Sequence, residues 1–344
     1  MMYGSLQVRT GTAQRIRASR EQVARGATWV FFNRHPEWLE RYGERGLQLG
    51  FEDACFHVDF LSSAIEAGEV SAFVEYVSWA KGMLESRGIA AEFLAENISQ
   101  LGVEIAIHLD PSEKQHLLEF VDAGLLACTR PSLPTHGITN RAANVYMQVL
   151  QAGNRSAALN IAKECVANGH GVAQVYLEVL QPAMYEIGRL WETNRITVAR
   201  EHMATAITQY VMAQLFPMLC PSPTAKRGNA VVVGVQGELH QLGALMVSDL
   251  LESEGWFVRF LGSNVPQAGI LDVIKQENAT LLGISTTLLT NMPKALELIK
   301  SARNNFPGIR IIVGGAAFKS SGELWKEAGA DHFASDLKAV ISLT

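Results

Sequence analysis

An all-helical N-terminal half followed by an α/β domain with a doubly wound, five-stranded parallel sheet is the fold class this sequence predicts. Three observations carry it. Up to about residue 217, apolar side chains recur with the period of a helix, and no credible strand interrupts them. From Asn229 the period changes, and short apolar runs alternate with helical ones, as in a parallel sheet covered on both faces. Prolines and glycines mark the joints between blocks, at Pro131–Gly137 and at Pro221-Ser222-Pro223.

Residues 1–18 have no apolar period and read as a flexible arm. Helices are expected over about 19–33, 36–49, 51–67, 69–86, 90–108 and 111–128, punctuated by Gly50, Gly68 and Gly88. Ser19 with Gln22 fits a capping box, and Asp110-Pro111 with Glu113 fits another. Residues 19–130 thus form a helical domain, and 131–138 a linker. A second block, 139–220, contains helices at about 139–151, 155–168, 172–186 and 196–217, and short joins make them a small bundle. In 226–344, strands at 229–235, 257–261, 280–285, 309–313 and 331–334 alternate with helices at 243–254, 267–277, 292–305, 320–328 and 336–343. This suits a flavodoxin-like fold, whose ligands sit outside the carboxyl ends of the strands, between the first and the third.

The net charge of −5 supplies no basic footprint for direct DNA or RNA binding. The four cysteines, Cys55, Cys128, Cys165 and Cys220, form no C-x-x-C pair and fit a reducing cytoplasm. No signal peptide and no membrane-length apolar run is visible, so a cytoplasmic protein is expected.

The switch-point rule directs attention to the loops after strands one, three and four. They read Gly237-Glu238-Leu239-His240-Gln241-Leu242-Gly243, Ser285-Thr286-Thr287-Leu288 and Gly314-Gly315. A loop imidazole can coordinate a transition metal through one nitrogen, and the other then needs an orienting acceptor. Glu238, two residues before His240, is available. Hydroxyls at 285 and 287 can bond a buried polar group, and two glycines let the backbone approach a flat ligand. Taken singly, a loop histidine is more often solvated or structural, and a Gly-Gly after a strand is usually a turn; their joint placement raises them.

Glu238-x-His240-x-x-Gly243, Ser285-x-Thr287 and Gly314-Gly315 resemble the cobalamin-binding signature of B12-dependent mutases, methionine synthases and corrinoid carriers. The resemblance implies that His240 displaces the cofactor's dimethylbenzimidazole tail and binds cobalt from below. It implies that the tail enters a slot lined by Ser285, Thr287, Gly314 and Gly315. The signature's usual aspartate is Glu238 here, which puts the carboxylate one methylene further out and bears on its contact with His240. The helical block 139–220 resembles the cap over the upper cobalamin face. In it, nine residues separate Trp191 from Glu201-His202, a pattern similar to that of light-sensing, adenosylcobalamin-binding regulators, where these side chains contact the adenosyl group. Those photoreceptors have a histidine after the tryptophan; this chain has Glu192, so His202, His170 or water would have to take the upper position after photolysis, or that face stays open.

The first 130 residues lack a basic recognition helix and resemble a globin-like sensor bundle in helix number and length. Trp29, Phe31, Phe32, His35, Trp38, Tyr42, Phe51, Phe56, His57, Phe60, Phe73, Tyr76 and Trp79 are concentrated there. They fit either a helical core or a pocket for a second flat chromophore. The layout resembles the photocobilins, which bind B12 and a bilin such as biliverdin. Cys55 is a conceivable attachment point, although its neighbours suggest core burial. Haem, with His57 or His108 as axial ligand, ranks below a bilin. The leading expectation is a non-enzymatic light sensor using adenosylcobalamin, with output through a homo-oligomer or a signalling partner. The alternative is a corrinoid methyl-carrier protein serving a methyltransferase.

Overall fold

The computed structural model describes residues 4–131, 137–219 and 227–343. The chain divides into two compact units. One is helical and also takes in Leu288–Pro293 and Ala316–Glu327; the other holds the cap helices and the rest of the α/β domain.

The described N-terminal helices are α1 (Leu6–Ala18), α2 (Arg20–Arg34), α3 (Pro36–Ala67), α4 (Val70–Glu85), α5 (Ala91–Ala106) and α6 (Pro111–Thr129). The expected arm is corrected: α1 is an ordered helix that buries Arg9, Thr12, Ala13 and Ile16. Half of that face is polar, so no apolar period advertises it. Its polar groups are paired at long range instead. Arg9 Nε donates to the Glu66 carbonyl (3.0 Å), and the Thr12 hydroxyl to Glu113 Oε1 (2.5 Å).

Two further expectations fail in this unit. Gly50 does not end a helix. α3 runs through it, and a Cβ there would stand 3.1 Å from the Phe32 ring. The kink lies at Gly43, whose φ of 59° a side chain would disfavour. Ser19 makes no capping box, because its hydroxyl turns back to the Ile16 carbonyl (3.0 Å). The second box forms, with the Asp110 N–H donating to Glu113 Oε2 (3.0 Å).

The N-terminal aromatics largely pack on one another. Phe31, His35, Trp38 and Phe93 make ring contacts at 4.8–5.8 Å between centroids. Phe60 stacks on Tyr76 at 3.8 Å. His57 is buried with Nδ1 2.6 Å from the Tyr76 hydroxyl, and burial pushes its pKa down to about 4. Cys55 is buried, and that burial raises its thiol pKa, which disfavours covalent attachment of a bilin there.

In the second unit, α7 (Arg141–Gln151) and α8 (Arg155–Ala167) are capped by Asn140 and Asn154, whose side chains accept from first-turn N–H groups. α9 (Val172–Val175) continues through a π turn, Tyr176–Leu180, into α10 (Gln181–Glu192). Pro182 has no N–H for the carbonyl four residues back, and the wider turn accommodates that loss. The helix expected to stop at 186 therefore reaches Glu192. α11 spans Val198–Leu215. Residues 132–136 of the expected linker, and Pro221-Ser222-Pro223, lie outside the described residues.

The α/β part contains β1 (Gly228–Gly234), α12 (Leu242–Ser253), β2 (Trp256–Phe260), α13 (Gln267–Gln276), β3 (Leu281–Ser285), α14 (Met292–Asn305), β4 (Arg310–Gly314), α15 (Ala316–Lys319), α16 (Leu324–Ala328), β5 (His332–Ala334) and α17 (Leu337–Leu343). The single helix expected at 320–328 is replaced by α15 and α16. The strands are parallel in the order β2-β1-β3-β4-β5, the predicted doubly wound arrangement. The register pairs Gly234 with Ser285, Ser285 with Gly314 and Gly314 with Ala334, so these positions form one row at the carboxyl edge.

Candidate functional site

β1 ends at Gly234, where the chain turns away from the sheet. A Cβ at Gly234 would meet Ser263 at 3.0 Å and Glu238 Cγ at 3.5 Å, so the glycine leaves room for the loop to fold back. Asn264 adopts a left-handed φ of 58°, a conformation asparagine tolerates, and its Oδ1 accepts from the Gly237 N–H (2.9 Å). Neither Gly234 nor Asn264 belongs to the loop motifs; Gly262-Ser263-Asn264 after β2 is the turn signal the sequence offers for them.

These supports aim Glu238 inward. It is 0% exposed, and both carboxylate oxygens are occupied. Oε1 accepts from the N–H groups of Leu239 (3.1 Å) and His240 (3.0 Å) and lies 2.6 Å from His240 Nδ1. Oε2 accepts from the Thr287 N–H (2.7 Å). Burial alone would raise the Glu238 carboxyl. The bonds from the His240 ring and from the His240 and Thr287 backbones prevail and hold it at about 2. The same contact, chiefly through its hydrogen bond, raises the His240 pKa. A carboxylate this acidic beside Nδ1 assigns the proton to that nitrogen and leaves Nε2 for a ligand. The His240 side chain is 56% exposed. The concern about glutamate's extra methylene is thereby corrected: the loop curls so that Glu238 reaches both His240 and β3's exit.

After β3, the Thr286 N–H donates to the Gly314 carbonyl (3.0 Å). Gly315 has φ 102°, and a Cβ there would collide with the Thr286 carbonyl. The second glycine is therefore demanded by close backbone approach. Thr286 is fully buried, yet its Oγ1 has no hydrogen-bond partner among the described residues. An orphaned hydroxyl here is unusual and suits a slot that receives a polar group. Gly243, at the start of α12, has open space around its Cα and joins none of these contacts.

On the cap side, Asn194 takes a left-handed φ of 56° and turns the chain from α10 into α11. Trp191 is half-buried at the end of α10. Glu201 accepts from the Thr205 hydroxyl (2.8 Å) and lies 2.5 Å from His202 Nδ1. Its charge also adds, as the smallest of the causes, to the rise of the His240 pKa. The His202 side chain is 74% exposed. His170 Nδ1 lies 3.1 Å from the Cys165 carbonyl at the end of α8.

Among the described residues, no three His, Cys, Asp or Glu side chains gather as a metal cage. The donor set is thus one oriented imidazole, a buried orphan hydroxyl and a glycine cradle. This fits a cofactor that brings its own metal and carries a polar tail. Among the described residues, no helix is long and apolar enough to cross a membrane.

Residues 228–337 match the family described as the B12 binding domain, and residues 143–216 match a second family of the same description. Dimethylamine corrinoid protein 1 of Methanosarcina acetivorans is 29% identical over 170 residues, which cover 47% of this chain and 77% of that protein. The HTH-type transcriptional repressor CarH of Myxococcus xanthus is 29% identical over 144 residues, 42% of this chain and 47% of that protein. The solved structure of the Methanosarcina barkeri monomethylamine corrinoid protein has the same fold over 59% of this chain and 96% of its own, with a TM-score of 0.51 at 20% identity. The chain therefore carries a helical B12-binding cap followed by a Rossmann-like B12-binding domain, and its cofactor class is a cobalamin.

Proposed function

We propose that this chain is a corrinoid carrier, without turnover of its own, that holds a cobalamin between its cap and the carboxyl edge of its sheet. The observation that carries the binding reading is the Glu238–His240 pair, with Nδ1 bonded and Nε2 left for cobalt. Ser285, Thr286, Thr287, Gly314 and Gly315 would hold the nucleotide tail. Glu238 fixes the His240 tautomer and ties the loop to β3 through Thr287. When bound, a cobalamin supplies a cobalt–carbon bond that can be made and broken. The corrinoid proteins among the relatives support the carrier use. In that use, the upper face must be open to a partner enzyme.

A second reading, a light sensor charged with adenosylcobalamin, is favoured by Trp191 with Glu201-His202 at the cap edge and by CarH among the relatives. Trp191, Glu201 and His202 would then line the upper ligand, and its loss on illumination would repack the cap and change contacts with a second copy or a signalling partner. With Glu192 after Trp191, a histidine at that position is not available to replace the lost ligand. In the helical unit a bilin would lie in an open cleft of about 850 Å³ lined by Arg17, Arg20, Arg25 and Trp29, among others.

One experiment separates the two. The chain is loaded in the dark with hydroxocobalamin, methylcobalamin or adenosylcobalamin and followed by absorbance and by size-exclusion chromatography before and after green light. A carrier binds the first two and keeps its assembly state in the light. A sensor binds adenosylcobalamin and changes assembly on illumination. Failure to bind any of the three refutes both readings. Biliverdin that gives no far-red band removes the bilin.

A further inference from the structure

The hydrophobic core of the cap does not stop at the cap. Tyr146, Tyr176, Ile187, Val211, Met212 and Leu215 pack into one cluster with Met246 and Leu250 of α12 and Leu337 of α17. α12 is therefore the seat on which the bundle rests. In that apolar seat lies a carboxylate, Asp249, only 8% exposed. The Tyr176 hydroxyl, itself fully buried, donates to Asp249 Oδ2 at 2.8 Å and also lies 3.4 Å from the Met212 carbonyl. Tyr176 opens the π turn that leads to Pro182. The polar tie between cap and α12 thus starts where the cap's own helix is irregular, a place where helices hinge.

One hydroxyl is a poor substitute for the water a carboxylate loses on burial. An apolar or amide side chain would hold the cap more firmly at this point. Among the described residues, Tyr176 and Glu252 are the groups that bear on Asp249. Burial raises its pKa to about 6, the Tyr176 bond opposes that rise, and the charge of Glu252, one turn further along α12, adds to it. Arg259 in β2 acts on Glu252 in turn. An acid with a folded-state pKa raised from 3.8 contributes stability that is fully present below about pH 4 and is lost as pH rises through about 6. The cap seat is therefore firmest in acid and loosest at neutral pH. A shift of roughly two units sets an upper bound of roughly a hundredfold on the closing equilibrium, reached if opening fully hydrates Asp249.

We propose that the Tyr176–Asp249 contact is the release latch of the cap, and that ionisation of Asp249 loosens the cap from α12 and sets how readily the cobalamin cleft opens. The cleft's occupant rests on the proposed function above; the latch itself does not. A large planar cofactor held between cap and sheet edge requires the cap to lift from its apolar seat, and a buried carboxylate there lowers the cost of lifting at neutral pH.

The full chain without cofactor is compared at pH 5 and pH 8 by hydrogen exchange in α9–α11, corrected for the intrinsic pH dependence of exchange. The expected result is at least tenfold faster corrected exchange at pH 8 in the wild type, and a flat profile in Asp249→Asn. Tyr176→Phe, which removes the donor and leaves the carboxylate, opens further at pH 8. Equal pH profiles in wild type and Asp249→Asn overturn the latch. Hydroxocobalamin association is the second readout: Asp249→Asn associates several-fold more slowly than wild type at pH 8 and equally fast at pH 5. Equal rates at both pH values overturn the link between latch and cleft. If hydroxocobalamin binds neither protein, the cobalamin reading fails, and the exchange result alone decides the latch.

Discussion

The two sides of the proposed cobalamin site are built differently. Below, Glu238 is buried with four hydrogen bonds spanning the β1 and β3 loops, and His240 is held by one ring nitrogen before any ligand arrives. Above, Glu201 and His202 pair at the first turn of α11, and His202 is mostly in solvent. In the proposed site, the lower face is preorganised and the upper one is a more exposed edge. Fixed geometry suits a ligand that stays; a loose edge suits a group that comes and goes, whether by transfer or by light.

The sharpest way to break this contrast is at Gly315. Gly315→Val forces a side chain into the Thr286 carbonyl and into a φ of 102°. It should destabilise the chain by about 3 kcal/mol, read as a lower urea midpoint, and abolish cobalamin binding. Wild-type stability would mean the slot is not close-packed. Next, His240→Ala should shift bound cobalamin to the base-off spectrum and weaken binding by more than about tenfold, whereas an unchanged spectrum removes His240 from the metal.

Glu238→Gln is subtler, because it keeps an acceptor for the backbone but loses the charge. Affinity should fall about tenfold or more. The acid side of the stability profile should change too. A carboxyl held at about 2 against an ordinary 4.5 contributes stability that is present above 4.5 and lost as pH falls through 2, on the order of 3 kcal/mol. Acid titration of unfolding should show this loss in wild type and not in Glu238→Gln. The smallest effect is expected above. His202→Ala should change cofactor-free stability by no more than about 0.5 kcal/mol, because the side chain is exposed, and should alter only the binding of a bulky upper ligand. A large loss of stability would show that the upper edge is as rigid as the lower.

Much of the α/β domain was legible because its signals are local. A valine-rich run flanked by helical periods reads as a buried strand, and the switch-point rule then places His240, Ser285 and Gly314 at one edge, where the register puts Ser285 beside Gly314. The errors fell where local signals were silent or misleading. Gly50 looked like a helix stop, but its missing Cβ serves packing against Phe32. The first eighteen residues looked like an arm, because α1 buries arginine and threonine rather than leucine.

What the sequence by itself determined was the order of strands and helices, and the loops at the carboxyl edge of the sheet that carry His240, Ser285 and Gly314, since periodicity and chain topology depend on neighbours a few residues apart. Only the tertiary structure decided how the polar groups are satisfied. Arg9 finds one acceptor 57 residues away, Glu238 the donor to its second oxygen 49 residues away, and Asp249 its hydroxyl 73 residues away. A buried charge is set by whatever the fold brings within about 3 Å of it, and no spacing along the chain records that.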